Sequence, residues 1–465
     1  MHVLLVAYDF PPTPSPQSLR WAYLVRELAR AGHRVQVIAP DVPGYGRGGL
    51  PELPPEVRIH RVEPGKLTRL LLGRKARKTA QPAQAATATG GAPSAAVAAQ
   101  DMQATPLNWK GRLHKRIERG LGIRDGLNWK GQLAEWIKAW ASARVFPDYR
   151  VEWVPHAVAK LDELVALERP DIVLVSHEPA CTLPVGLAAA ERGLPLAVDM
   201  GDPVLAPYTP ARWREKAFEL EREVCKAACL VSVTTEGAAT LLCERHGLSQ
   251  DRLLVLRQGY DPGFVPEEHE RWLDFDPQRL ELLYTGSFYS FRRAEDLVQS
   301  ILAVEGVRLT VATISAPDYL LQAAGQHPER IRLTSFLPHR VALAAQRDCD
   351  VLLNIANADP VQVPGKVFEY LGAGKPVVHL RGEQQDATGK LLADMQAGWE
   401  IHAQPVAITR VLDELRQRKQ AGQLDLAIKD REDVSAYSWP ALAHQWANAA
   451  QSAVHRQPGR QDGMA

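Results

Sequence analysis

The sequence predicts an α/β protein made of two doubly wound parallel sheets. Three observations carry this. Short apolar runs alternate with amphipathic helical stretches, and the runs lack the in–out alternation of half-exposed strands, as suits parallel strands covered on both faces. The alternation runs in two series, split near residue 265 by the polar, proline-containing stretch GFVPEEHERWLDFDP, which reads as a linker. The chain of 465 residues also exceeds the roughly 250–300 residues at which a single core stops growing.

The elements follow in order. Val3 to Ala7 is an apolar strand, FPPTPSPQ is read as non-helical, and from Ser18 the residues Leu19, Ala22, Tyr23, Leu24, Leu28 and Ala29 form a helical stripe. Gly32 stands where a C-terminal cap belongs, and VQVIAP is the next strand, which completes a right-handed βαβ unit. IVLVS, LPLAVDM, CLVSVTT and LLVLRQG continue as strands, with helices at 180–193, 213–228 and 236–247 between them. The second series has strands LELLYTG, VRLTVAT, IRLTSF, CDVLLNI and KPVVHL, with WEIHA as a last short one. Its helices fall at 293–302, 317–326, 341–347, 366–374 and 406–420, and another follows at 440–454. The expected domains are therefore 1–265 and 266–436, with 437–465 forming a helix that packs back toward the first domain and then a tail. In such sheets ligands bind outside the carboxyl ends of strands, at switch points, so the loops after the strands are the places to search.

Composition narrows the function. Lys plus Arg is 55 and Asp plus Glu is 54, a balance that excludes a nucleic-acid binder by bulk charge. Five cysteines without a CxxC pair argue against disulfides or a zinc knuckle. VLLVAY is too short for a signal peptide, and no apolar run reaches about 18 residues, so a cytoplasmic location is expected. Residues 79–106, rich in Ala, Gln, Thr, Gly and Pro, read as a disordered insertion. Residues 107–145 read as basic, Trp-rich helices in which LNWKG occurs twice. Across 66–145, basic residues such as Lys66, Arg69, Lys110, Lys115 and Arg116 beside a stripe of Trp109, Leu113 and Ile117 suit a helix lying on an anionic membrane surface. The same stripe also suits packing on a core.

The most informative stretch is VQVPGKVFEYLGAGKPVVHL at 361–380. Pro364 and Gly365 start a helix, and Lys366 and Glu369 share one of its faces. A lysine in a first turn is disfavoured by the helix dipole. It is either solvated and paired with Glu369, or it joins the helix N-terminus in binding an anion such as a diphosphate. A carboxylate one turn on can accept hydrogen bonds from vicinal hydroxyls.

This stretch resembles the donor-binding segment of retaining GT-B glycosyltransferases of the family 4 type. MHVLLVAYDFPP, VSHEP, LRQGYD and YTGSFYSFRR match further parts of that family in order, and the resemblance spans all but about residues 66–145. It implies two facing Rossmann-like domains and retaining transfer of a sugar from a nucleotide-sugar to a glycan or lipid-linked acceptor. Glu369 would hold the ribose hydroxyls. Arg292, six positions after Gly286, would bind the diphosphate with Lys366, and Ser287 and Arg293 flank the same loop. SFLPH would read the base through backbone groups of Phe336 to His339, including Leu337. His177 would be the active-site histidine. Ser15, Gln17 and Asp202 would line the acceptor side, the side chains standing in for a Gly-Gly loop that PTPSPQS lacks. Val361 stands where the family places a carboxylate facing the donor sugar, so backbone amides around Val363–Gly365 would hold that sugar. No metal is expected, although Asp348–Asp350 forms a D-x-D pattern, and no cofactor, since the nucleotide-sugar is a co-substrate. Two rival readings stand beside this one: a sugar-nucleotide epimerase on the same fold, and a catalytically weak scaffold in a glycan-assembly complex, which Val361 favours.

Overall fold

A computed structural model describes residues 1–13, 15–42, 49–70, 144–207, 209–288, 294–335, 337–357, 359–382 and 384–456. The chain divides into a unit of Met1–Gly65 with Arg150–Ala465 and a second unit, Lys66–Tyr149. Both sheets belong to the first unit. The expected insertion at 79–106, the Trp-rich stripe and most of the basic segment lie outside the described residues.

The first sheet has seven strands: β1 (His2–Val6), β2 (Arg34–Pro40), β3 (Arg58–Val62), β4 (Ile172–Ser176), β5 (Leu196–Met200), β6 (Leu230–Val233) and β7 (Leu253–Val255). They run in the order β3-β2-β1-β4-β5-β6-β7, and every pairing is parallel. The second sheet has six: β8 (Leu280–Thr285), β9 (Val307–Ala312), β10 (Ile331–Thr334), β11 (Val351–Ile355), β12 (Val377–Arg381) and β13 (Gly398–His402). Its order is β10-β9-β8-β11-β12-β13, again all parallel. β4 and β11 are buried along their whole length, as their unbroken apolar runs require.

The helices between them are α1 (Pro16–Arg30), α2 (Val154–Leu167), α3 (Leu183–Glu191), α4 (Arg214–Ala227) and α5 (Glu236–His246) in the first half. The second half has α6 (Glu295–Ala303), α7 (Asp318–Gln326), α8 (His339–Asp348), α9 (Gly365–Ala373), α10 (Ala387–Asp394) and α11 (Pro405–Gln420), and α12 (Trp439–His455) follows. The sequence reading missed β3, α2 and α10. It also set FPPTPSPQ outside any helix, whereas α1 begins at Pro16 with Ser15 as its cap. Proline is well suited to a first helical turn, where its missing N–H leaves no bond unmade.

Each half has its own core, and α12 belongs to the first. Trp439, Leu442, Trp446 and Ala450 are buried with Trp21, Leu24 and Leu28 of α1 in one cluster. The chain therefore crosses between the halves twice, and the crossings are pinned together. Tyr260 N–H donates to the Tyr437 carbonyl at 3.1 Å, and Trp439 N–H donates back to the Tyr260 carbonyl at 3.0 Å. Glycine is required at 259, because a Cβ there would stand 2.7 Å from Leu442 Cδ1 and 2.8 Å from the Tyr437 carbonyl oxygen. The stretch read as a linker is partly packed: Phe264 is buried with Leu343 and Ala344, and Glu270 is buried and paired with Arg340.

Trp446 anchors α12 and is 1% exposed. Trp446→Ala is expected to cost about 3–5 kcal/mol in urea denaturation. A change below about 1 kcal/mol would show that the helix contributes little to the first core.

Candidate functional site

In the first sheet the strand order reverses between β1 and β4, and the loops leaving these strands part to open a crevice. The loop after β1 enters α1, where Ser15 Oγ accepts the Ser18 N–H at 3.0 Å and caps the helix. Gln17, in the first turn, donates from Nε2 to Glu178 Oε2 at 2.9 Å. Glu178 follows β4, and its Oε1 accepts the Asp202 N–H at 3.1 Å from the loop after β5. The crevice is thus lined from three strand ends. Beneath it Arg20 forms a buried bidentate pair with Asp199 of β5, Nε to Oδ2 and Nη2 to Oδ1, both at 3.0 Å. Ser232 Oγ of β6 donates to the same carboxylate at 2.6 Å.

Two neighbours at the end of β4 are shifted in opposite directions. His177 is buried, and both ring nitrogens lack a hydrogen-bond partner among the described residues. Burial lowers its pKa to about 4, against the raising effect of Glu221 and Asp199. Glu178 has φ 74°, left-handed backbone that a residue with a Cβ rarely adopts. Its carboxyl is pushed up to about 7, first by burial and further by the charge of Asp202, while the bond from Gln17 opposes the shift.

The second sheet reverses between β8 and β11. Gly286, immediately after β8, has φ 140° and is suited by the absence of a Cβ. Lys366, in the first turn of α9 after β11, donates from Nζ to the Thr285 carbonyl at 3.0 Å. The same Nζ lies 4.0 Å from the Tyr284 ring centroid and 3.4 Å from where a Gly286 Cβ would stand. Tyr284 Oη donates to the Ser287 carbonyl at 3.1 Å, which fixes the start of that loop. An ammonium held between two strand ends at a switch point is positioned for an anion.

One turn along α9, Glu369 accepts from Gln346 Nε2 at 3.2 Å and lies 3.8 Å from His339 Nδ1. His339 Nε2 is 3.3 Å from Tyr23 Oη of α1, so this corner is built from both halves. Burial lowers the His339 pKa, with Glu369 opposing. Leu337 is buried against Ala312 and Val341.

The halves meet again beside Asp202, whose Oδ1 accepts from Gln362 Nε2 at 2.9 Å. Val361 packs against Gly237 at the start of α5, where a Cβ would stand 3.0 Å from Val361 Cβ. Between the loop 201–207, α5 and the loop 359–362 lies a cavity of about 330 Å³, lined by Asp202, Arg214, Thr234, Val361 and Gln362 among others.

The structure therefore brings Gly286 and Lys366 together, Glu369 with His339, and Gln17 with Asp202 through Glu178. Pro364 caps α9 and Gly365 packs on Gln258. Ser15 is engaged as a cap and His177 lies buried beneath the crevice. Arg292, Arg293 and Phe336 lie outside the described residues. Asp348 pairs with Arg271 and Asp350 with Lys419, so the D-x-D carboxylates serve two ion pairs. The sequence pattern gave no site role to Arg20, Gln362 or Glu178, and placed Tyr23 only in a helical stripe. A polar residue in an otherwise apolar helical stripe was the available signal for Arg20.

Residues 142–259 match the family described as glycosyl transferase 4-like domain. No curated protein shows significant sequence similarity to the chain. Among solved structures, a glycosyltransferase from Rickettsia africae ESF-5 is similar with a TM-score of 0.53 and 10% identity, over 98% of this chain and 99% of that one. The UDP-GlcNAc 2-epimerase from Neisseria meningitidis bound to UDP-GlcNAc is similar with a TM-score of 0.53 and 11% identity, over 97% of this chain and 100% of that one. The MnaA–UDP co-structure from S. aureus is similar with a TM-score of 0.50 and 13% identity, over the full length of both. At these identities the likeness shows the fold: two Rossmann-like halves of the GT-B type.

The depressed pKa of His177 carries a stability consequence. Between pH 6.5 and about 4 the unfolded chain takes up a proton that the buried imidazole refuses, so stability is lost as pH falls through this window. His177→Phe is expected to lessen that acid sensitivity in urea melts at pH 7 and pH 5. An unchanged pH dependence would assign it to other groups.

Proposed function

We infer that the protein is a glycosyltransferase that moves a sugar from a nucleotide-sugar donor to a glycan or lipid-linked acceptor with retention of anomeric configuration. The observation that carries this is Lys366 Nζ, held on the Thr285 carbonyl beside Gly286 at the switch point of the second half. A diphosphate placed there meets a fixed ammonium and the N-terminus of a helix. Arg292 and Arg293, from the same loop in sequence, add guanidinium groups whose forks suit phosphate oxygens. As the sugar leaves, charge grows on the diphosphate, and fixed cations stabilise it without having to reorganise. Glu369 accepts hydrogen bonds from the ribose, and the backbone from Leu337 to His339 faces the base. The acceptor enters from the first half, past Gln17 and Asp202. The match of residues 142–259 to a glycosyl transferase 4-like domain supports the same assignment.

The donor sugar meets no carboxylate at Val361, which packs toward Gly237 and is 44% exposed. Amides around Val363–Gly365 take that role. An epimerase would use the same nucleotide site, and the products distinguish the two: an epimerase interconverts the free nucleotide-sugar, whereas a transferase releases the nucleoside diphosphate.

Calorimetric titration of the full chain with UDP and GDP tests the site. Glu369→Gln should weaken binding of the preferred nucleotide by about 1.5–3 kcal/mol, the worth of a hydrogen bond to a charged group. Lys366→Met should weaken the diphosphate while leaving the parent nucleoside nearly unaffected. Parent-like binding by both variants would remove these residues from the site.

Among the described residues no helix is long and apolar enough to cross a membrane. The basic segment at 66–145, with its Trp-rich part, is proposed to rest on anionic lipid, where each Lys or Arg contributes about 1 kcal/mol. Flotation with anionic vesicles should fall with added salt and with Ala at Lys110, Lys115 and Arg116. Equal recovery with neutral vesicles would contradict it.

A further inference from the structure

Glu178 is the group in the first-half crevice that the reading above leaves unused. It stands at the end of β4, at the switch point of its sheet, as Lys366 does in the other half. Its backbone is held at φ 74°, a conformation that persists only where the surroundings fix it. Gln17 Nε2 holds one carboxyl oxygen at 2.9 Å and the Asp202 N–H holds the other at 3.1 Å. Gly201 admits this approach, since a Cβ there would stand 3.1 Å from Glu178 Oε1 and 2.6 Å from Gln17 Nε2. A carboxylate offers about four lone-pair sites, and two remain for a substrate. The Asp202 carboxylate is bound in turn by Gln362 of the other half, which fixes Glu178 relative to the donor side.

We propose that the Glu178 carboxylate takes the proton of the acceptor hydroxyl as the new glycosidic bond forms. This rests on the glycosyltransferase reading. The bond between the anomeric carbon and the diphosphate oxygen breaks, and its electron pair leaves with the nucleoside diphosphate. The acceptor oxygen bonds the anomeric carbon on the face from which the diphosphate departs, which keeps the configuration, its proton passes to Glu178, and Glu178 returns the proton to solvent after product release.

The surroundings suit the task. Burial, together with the charges of Asp202 and Asp199, raises the carboxyl to about 7, so it is a competent base near neutral pH. The neighbouring Asp202 carboxylate is engaged by Gln362 of the other half. Arg20 is committed to Asp199, and His177, next in the chain, is buried with its imidazole neutral at pH 7.

The test uses the full chain, UDP-glucose, UDP-N-acetylglucosamine and GDP-mannose as probe donors, and water as acceptor, with release of UDP or GDP followed from pH 5.5 to 8.5. The parent rate should rise with pH through a midpoint near 7. Glu178→Gln should lower it by about a hundredfold or more and abolish the acid limb, with UDP affinity within about twofold of the parent. Glu178→Asp should recover part of the rate and the limb, which a purely structural role would not do. A Glu178→Gln variant that keeps the rate or the acid limb overturns the proposal, as does a parent that binds UDP or GDP and cleaves none of the donors. A parent that binds neither UDP nor GDP overturns the functional reading itself.

Discussion

The cleft face of the first half depends on one buried ion pair. The Arg20 guanidinium reaches from α1 across the end of the sheet to Asp199, and its remaining N–H groups donate to the carbonyls of Leu256 and Arg257 at 2.9 and 2.8 Å. One side chain thus ties α1, β5 and the exit of β7, and Ser232 adds β6 through the shared carboxylate. Removing two charges from water costs several kcal/mol each, so such a pair is weak as a source of stability. Its value is geometric. The fork fixes the rotation of α1, which sets Gln17 over Glu178, Tyr23 toward His339, and Trp21 and Leu24 onto α12.

The two halves solve the same problem with different chemistry. Each reverses its strand order at one place, and at each place a side chain spans the two diverging loops. In the first half this is the amide–carboxylate pair of Gln17 and Glu178, and in the second the ammonium of Lys366 on the Thr285 carbonyl. On the proposed function, the first crevice would supply the proton acceptor that an acceptor hydroxyl needs, and the second the positive charge that a departing diphosphate needs. Asp202 with Gln362, and Tyr23 with His339, join the halves on either side. Asp261, at the crossing between the halves, is bonded to Arg26 of α1 at 2.9 Å, so movement there is felt by the same helix.

Much of the fold was legible because strands covered on both faces read as apolar runs. β3 escaped because it is a sheet edge: RIHRV is mostly exposed or half-exposed and carries charge. α2 escaped because it buries only Ala157, Leu161 and Leu164, too thin a stripe to stand out. Among site residues, the Gly286 loop and the Pro364–Glu369 string were visible because each is a local motif. The pairs Gln17–Glu178 and Asp202–Gln362 join residues 161 and 160 positions apart. No spacing in a single sequence encodes such a contact. In VSHEP the sequence points to His177 as the site residue. A left-handed backbone at Glu178 carries its carboxyl to Gln17 and Asp202, while the imidazole stays buried.

The central claim is that the second-half switch point receives the diphosphate of a nucleotide. A crystal structure of the full chain grown with UDP tests it most directly. The account predicts diphosphate density against Gly286, Ser287 and the start of α9, with Lys366 Nζ turned from the Thr285 carbonyl to a phosphate oxygen and Glu369 on the ribose. UDP bound elsewhere, with Lys366 still on the Thr285 carbonyl, would contradict it.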